Sequence, residues 1–258
     1  MRIATFNCAS VRARLPLLLD WIAVNEPDVL ALQETKVEDA KFPFSDFEDM
    51  GYHVAINGQK AWNGVATVTR SASELVAKGF EDDLMPEDAR LLAIQVEGLN
   101  IVNTYVPNGN TVGSEKFDYK LRWLERFRRF LDERFRPDEP LIWLGDVNVA
   151  PKAIDVYDSK RFYGGVGHHP EEFKRLDAIV EFGLTDVFRT LHPDEKGYSF
   201  FDFTLPRSVD RNLGWRIDHI YVTEPLLESL REVRVDVEAR KAERPSDHTF
   251  VIADFDLG

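Results

Sequence analysis

Six short stretches of the chain place polar residues at the edges of apolar runs. Asn7 closes the run at 2–7, and Gln33 and Glu34 close the run at 29–33. Asn103 and Tyr105 fall at the end of 99–105, and Asp146 and Asn148 follow 141–145. Asp218 interrupts 217–223, and Asp247 and His248 stand just before 250–255. Carboxylates with amide and imidazole partners suit a hard cation, Mg2+ or Mn2+, and phosphate chemistry. Strand ends that converge on one sheet edge are a common place for such a site. Each residue also has a plainer reading. Glu34 could cap a loop, Asp146 could be a turn aspartate, and Ser246-Asp247-His248 could be a turn before a strand. Asp218 could form a structural ion pair with Arg216. None decides alone; their joint occurrence in this order points to a site.

The elements that must position these residues are mostly strands. Short apolar or β-branched runs predict strands at 2–7, 29–33, 64–70, 91–97, 99–105, 141–145, 217–223, 233–237 and 250–255. In the last of these, Phe250, Ile252 and Asp254 share one face, and Val251, Ala253 and Phe255 the other. Helices are fewer. Pro16 suits a first turn, Leu15, Leu18, Leu19 and Ile22 form an apolar stripe behind it, and Pro27 ends the element. The strongest helix is 115–135, where Phe117, Leu121, Leu124, Phe127, Leu131 and Phe135 recur at spacings of three and four. Its other face is expected to hold a basic cluster of Lys116, Lys120, Arg122, Arg126, Arg128, Arg129, Arg134 and Arg136, or an ordinary solvated surface. A third helix is expected at 171–182, and 184–188 leads to a turn at His192-Pro193. The segment 160–170, with His168 and His169, has the character of an exposed loop. This order suits a layered α/β protein with partly antiparallel sheets. No Pro/Gly/Ser-rich linker or abrupt charge change divides it, so one domain over 1–258 is expected.

Composition bounds the function. With 258 residues, 44% of them hydrophobic, the chain can bury a substantial core. A single cysteine, Cys8, rules out an internal disulfide framework and a multi-cysteine metal site, and fits a reducing cytoplasm. Cys8 itself is expected to be a small buried hydrophobe. No run of about 18 apolar residues exists, so no membrane span is expected, and the apolar part of the N-terminus is too short for a signal peptide. The formal net charge of −13 argues against nucleic acid as a partner, unless carboxylates gather around a cation and the basic residues gather on one face. HExxH, GxSxG and GxxxxGK patterns are absent, which disfavours metallopeptidase, esterase and P-loop chemistry.

At these residues the sequence resembles the exonuclease III family of abasic-site endonucleases, within the endonuclease/exonuclease/phosphatase superfamily. The matching pieces are TFNCASVR at 5–12, LQETK at 32–36, NTYVPNG at 103–109 and KFDYKLRWLERF at 116–127. They continue with WLGDVNVAP at 143–151, YSFFDF at 198–203, GWRIDHIYVT at 214–223 and ERPSDHTFV at 243–251. One such motif is weak; eight in the family's order, over nearly the whole chain, are strong. The resemblance implies a four-layered α/β sandwich, two packed mixed β-sheets flanked by helices. It implies Mg2+-dependent cleavage of double-stranded DNA 5′ to abasic sites, with removal of nucleotides or blocking groups from damaged 3′ ends. A monomer meets every requirement.

The roles the resemblance implies follow residue by residue. Glu34 and Asp247 would hold the metal, with Asn7 beside them. Asp146 would orient and deprotonate the attacking water, with Asn148 holding water and phosphate. His248, paired with Asp218, would stabilise charge on the phosphate. Tyr105 and Asn108 would contact the scissile phosphate, Tyr105 near the leaving group. Phe200, Trp215 and Ile217 would form the apolar pocket for a baseless sugar, and Lys36 and Arg12, with the basic helix face, would touch backbone phosphates. The sequence departs from the family at Ala9, where asparagine or aspartate is usual, and at Ser10, where glycine is common. The alternatives are a phosphatase or phosphodiesterase of the same superfamily acting on a small or lipid phosphoester, and a non-catalytic DNA-binding protein on the same fold. The first has less reason to keep Phe200, Trp215 and Ile217. The second predicts loss of residues that are all present.

Overall fold

The structure is a computed structural model that describes residues 1–82 and 88–257. One sheet contains β1 (Arg2–Asn7), β2 (Val29–Gln33), β3 (His53–Asn57) and β4 (Val65–Thr69). The other begins with β5 (Glu74–Lys78), β6 (Leu91–Val96), β7 (Leu99–Tyr105) and β8 (Leu141–Asp146), and adds β9 (Leu184–Asp186) and β10 (Asp218–Thr223). The chain then returns to the first sheet with β11 (Leu230–Asp236) and β12 (Phe250–Phe255). The strand orders are β11-β12-β1-β2-β4-β3 and β5-β6-β7-β8-β10-β9. Each sheet is mixed: β1 and β2 run parallel, as do β7 and β8, and the other pairs run antiparallel.

Helices are α1 (Val11–Asn25), α2 (Phe44–Glu48), α3 (Glu115–Arg134), α4 (Ser159–Phe162), α5 (Pro170–Val180) and α6 (Val187–Leu191). The sheets face each other across a core of Ile3, Val29 and Ala31 from one side and Leu92, Ile101, Ile142 and Ile220 from the other. α1 packs outside the first sheet through Leu18, Trp21 and Ile22, where Trp21 stacks on Phe250 of β12. α3 packs outside the second through Trp123, Leu124, Phe127 and Leu131, against Trp143 and Tyr221. The result is the expected sandwich of helix, sheet, sheet and helix, whose alternating strand faces serve two cores at once. In β12, Phe250 and Ile252 point to α1 while Val251, Ala253 and Phe255 fill the space between the sheets, as their alternation requires. Among the described residues no helix is long and apolar enough to cross a membrane.

Several expectations need correction. α1 starts at Val11, so Pro16 lies inside it rather than in its first turn. Its N-cap, Ser10, makes no side-chain cap and has φ of +107°, after Ala9 at +47°, so the usual cap signal is missing. β11 begins at Leu230, three residues before the predicted 233–237, and the 184–188 stretch splits into β9 and α6. The basic side of α3 is not one solvated face. Lys120 and Arg126 are buried, Arg126 on Asp82, and Arg128 and Arg134 pair with Asp132 and Glu81. His168 is not in an exposed loop: it is buried, with Nδ1 donating to Ala150 O at 2.7 Å. His169 caps α5 in a capping box with Glu172, with Pro170 at the helix start. Cys8 is buried as expected, and burial pushes its thiol up to about 12.

Two local devices set the site edge. Gly145 has φ of +135°, and a Cβ there would lie 2.0 Å from Thr104 O, so β8 can approach β7 at this point only with glycine. Beyond the strand ends a buried ionic cluster fixes the entry to β10. Arg216 Nε donates to Asp155 Oδ1 at 2.7 Å and its Nη2 to Asp186 Oδ2 at 2.8 Å, while Arg189 also reaches Asp155. Burial alone would raise both carboxyls, but Arg216 beside them holds each below the usual carboxylate range. Arg216 therefore serves Asp155 and Asp186, and its alternative pairing with Asp218 is not made. Asp155→Asn leaves buried guanidinium charge short of a partner and should cost about 3–5 kcal/mol in urea melts at pH 7. Because the folded-state value is depressed, the contribution is complete above the unfolded value of about 4 and fades as pH falls below it. The gap between wild type and variant should therefore narrow from pH 5 to pH 3; a gap that widens would contradict this account.

Candidate active site

The β-sheet registers bring the polar strand ends to one place. β1 and β2 pair Asn7 with Gln33, putting Glu34 just beyond. β7 and β8 pair Tyr105 with Asp146, and β8 and β10 pair Asp146 with Asp218. His248 enters from the loop before β12, bridged to Phe200, which is bridged in turn to Trp215.

The side chains then interlock. Asn7 Nδ2 donates to Glu34 Oε1 at 2.9 Å and to Asp146 Oδ2 at 2.8 Å. Asp146 Oδ1 accepts from Asn148 N at 3.0 Å, and Asn148 Oδ1 accepts from Asn108 Nδ2 at 3.1 Å. His248 Nδ1 donates to Asp218 Oδ2 at 2.8 Å, leaving Nε2 on the pocket side, 3.7 Å from Asp146 Oδ2. Burial alone would lower the His248 value, but Asp218 and Asp146 outweigh it and hold the ring as an imidazolium. Burial pushes the Asp146 carboxyl up; His248 opposes this, and Asp218 and Glu34 add to it. Burial would also raise Glu34, yet hydrogen bonds from Lys36 and Asn7 hold it below the ordinary value. Tyr105, half-buried beside Glu34 and Asp146, keeps its phenol proton.

One pocket of about 290 Å³ collects most of the predicted residues. Glu34, Asp247, Tyr105, Asn108, Asp146, Asn148 and His248 make its polar wall; Phe200, Trp215 and Ile217, which belong to one apolar cluster, make its apolar recess. Phe200 and Trp215 are half-buried and Ile217 is buried, so the first two present faces to the pocket rather than serving only as core. Asp218 and Asn7 lie behind the lining, hydrogen-bonded to His248 and to Asp146. Lys36 and Arg12 fall outside. Lys36 Nζ reaches Glu34 Oε2 at 2.7 Å, and Lys36 and Arg12 line a separate recess with Lys41 and Lys60. Gln33 and Asn103 do not reach the pocket: Gln33 Nε2 donates to Asn103 Oδ1 at 2.8 Å between the sheets.

Sequence reasoning missed three residues here. Val166 and Gly167 close the recess; Gly167 lies in a stretch that reads as a plain loop, and a Cβ on it would meet Trp215 at 3.4 Å. Ser199 is buried, donates to Asp218 Oδ2 at 2.6 Å and accepts from Asp218 N at 3.1 Å. Its position beside Phe200 was the only signal. Asp146, Asp218 and His248 have ligand atoms within 4.8 Å of one another and could hold a metal ion. Glu34 and Asp247 add further hard oxygen donors in the same pocket.

The endonuclease/exonuclease/phosphatase family profile matches residues 4–248. The chain belongs to that family, in its exonuclease III branch. It is 33% identical to exodeoxyribonuclease III of Haemophilus influenzae, over 99% of this chain and 100% of that one. It superposes on an AP endonuclease from Archaeoglobus fulgidus with a TM-score of 0.96 at 40% identity, and on a 3′–5′ exonuclease from Neisseria meningitidis with 0.95 at 38%, each covering 100% of both chains. This family member is therefore an enzyme, a nuclease whose substrate is DNA. Ser199→Ala would deprive the Asp218 carboxylate of one charged hydrogen bond, worth about 1.5 kcal/mol, and should lower kcat on DNA roughly tenfold. Steady-state rates at saturating DNA check this; an unchanged kcat would show that Asp218 does not need that donor.

Proposed function

We propose that the enzyme hydrolyses the DNA phosphodiester 5′ to an abasic site in a magnesium-dependent reaction, leaving a 3′-hydroxyl and a 5′-deoxyribose phosphate. We assign it a second activity, removal of nucleotides or blocking groups from 3′ ends of duplex DNA. The observation that carries the reading is that the polar wall and the apolar recess share one pocket. Polar groups alone would serve any phosphoester. An apolar recess beside them suits a flipped sugar that has lost its base, whose extrusion costs little unstacking. The names of the Archaeoglobus and Neisseria relatives support the two activities in turn. The same reading takes residues 1–258 as one domain, acting as a monomer in a reducing cytoplasm.

The donor set fits the metal. Glu34 and Asp247 would hold Mg2+, or Mn2+ in its place, with Asn7 beside them; all three offer hard oxygen atoms. Of the two carboxylate groupings, this one is preferred over Asp146, Asp218 and His248, because the His248 imidazolium carries protons on both ring nitrogens and offers a cation no lone pair. Bound there, the ion supplies positive charge for oxygens that gain negative charge. The chain's own groups do the rest. Asp146 takes a proton from the attacking water, held in place by hydrogen bonds from Asn7 and Asn148. Asn148 positions water and phosphate together. His248 donates from Nε2 to a phosphate oxygen, with Asp218 fixing the ring. Tyr105 and Asn108 contact the scissile phosphate, and Tyr105, which keeps its proton, stands near the leaving oxygen. Arg12 and Lys36 would meet backbone phosphates outside the pocket.

Cleavage of a duplex with one tetrahydrofuran abasic analogue tests this reading. Incision 5′ to the analogue is expected with Mg2+ and none with EDTA. Asp146→Asn should lower kcat by about 10²–10⁴. Trp215→Ala should weaken abasic incision more than removal of 3′ ends. End digestion alone would leave an exonuclease. No cleavage of any DNA by folded, metal-loaded protein would overturn the reading and direct attention to small phosphoesters.

A further inference from the structure

Lys120 and Glu172 face each other as an ion pair and are both fully buried. They belong to α3 and α5, in the outer helical layer, and neither lines the pocket. Taking two charges out of water is costly, and apolar side chains of similar volume would often stabilise a core as well or better. The pair is nevertheless saturated with hydrogen bonds that lead to the site. An ammonium has three protons to donate. Lys120 donates to Glu172, to Asn148 O at 2.7 Å and to Asn108 O at 3.2 Å. Glu172 accepts from Gly167 N at 3.1 Å and from His169 N at 3.0 Å. One end of the pair thus holds both asparagine segments of the polar wall. The other holds the backbone of the recess wall.

Asn148 in particular needs this anchor. Its φ is +55°, a left-handed conformation that asparagine adopts more readily than most residues, and its carbonyl points into protein where a donor is required. Asn108 is exposed, and its side chain rests on Asn148 Oδ1. Without the ammonium, both carbonyls would lose their shared donor, and the Asn148 side chain would be held only through its bonds to Val106 O and Asn108.

We propose that Lys120 is a positioning residue of the hydrolytic site: paired with Glu172, it sets the orientation of Asn108 and Asn148 toward the phosphate and couples it to the recess wall at Gly167. The proposal rests on the phosphodiester-hydrolase reading above. Lys120→Met combined with Glu172→Gln removes both charges together, so neither is left buried alone. On the abasic duplex this double variant should keep a near-wild-type KM, with a thermal midpoint lowered by only a few degrees, the cost of carbonyls left without their donor. Its kcat should fall roughly tenfold to a hundredfold, the size of effect that follows a displacement of about 1 Å. In side-chain amide NMR spectra the Asn108 and Asn148 signals should move, while that of Asn25, which donates to Trp21 O at the end of α1, should stay. Lys120→Arg keeps a cation opposite Glu172 but shifts its donors, and should lower kcat as well; it decides the matter if the double variant does not fold. Wild-type kcat with unmoved asparagine signals in a folded variant would overturn the proposal. So would activity lost only in step with the thermal midpoint, which is the mark of packing alone. A wild type that cuts no DNA would defeat the functional reading, while the amide signals would still judge the positioning.

Discussion

Asp146 and Asp218 stand directly opposite each other on neighbouring antiparallel strands, and both are buried. Like charges in such a pair repel, and burial adds a desolvation cost to each. The imidazolium of His248 makes the arrangement stable, hydrogen-bonded to Asp218 and close to Asp146. The two aspartates belong to one sheet, and His248 belongs to the loop that enters the other. The charge balance therefore holds only when the sheets are docked with their ends aligned. The catalytic geometry is a consequence of tertiary packing, and the packing in turn carries an electrostatic constraint.

Other contacts hold that alignment. Gln33 on β2 and Asn103 on β7 link the two sheets, and Asn103 Nδ2 also donates to Ala66 O at 2.9 Å. These buried polar groups are satisfied, so they fix the relative position of the sheets in a way that aliphatic side chains alone would not. Outside the sheets, the Asp155–Arg216 cluster holds the start of β10, and the Lys120–Glu172 pair holds the loops after β7 and β8. The strand ends are thus braced from the core and from the helical layer. What remains open between them is the pocket.

Much of this was legible in the sequence because site residues fall where apolar runs stop. β1, β2, β7 and β12 have the bounds their periodicity gives. The half-exposed strands β3 and β5 were missed: HVAIN and ELVAK have little buried alternation, and β5 carries a register shift between Leu75 and Ala77. α1 began early because Ala9 and Ser10 enter it through positive φ angles with no side-chain cap. Lys120 was assigned to a basic face by residue type. Its spacing tells otherwise: positions 117, 120, 124, 127 and 131 form one stripe, and Lys120 lies on it. The pairing of Asp218 with His248, rather than with nearby Arg216, spans thirty positions and leaves no local trace, so only the family resemblance implied it.

In the proposed reaction one pocket receives a baseless sugar against apolar side chains and its scissile phosphate against polar ones. A crystal structure of the protein with a duplex carrying a tetrahydrofuran abasic analogue tests that claim most directly. The predicted result is the extrahelical sugar against Phe200, Trp215 and Ile217, with a phosphate oxygen on His248 Nε2 and the Asn148 amide beside it. A sugar left in the helix, or a phosphate seated away from His248 and Asp146, would contradict it.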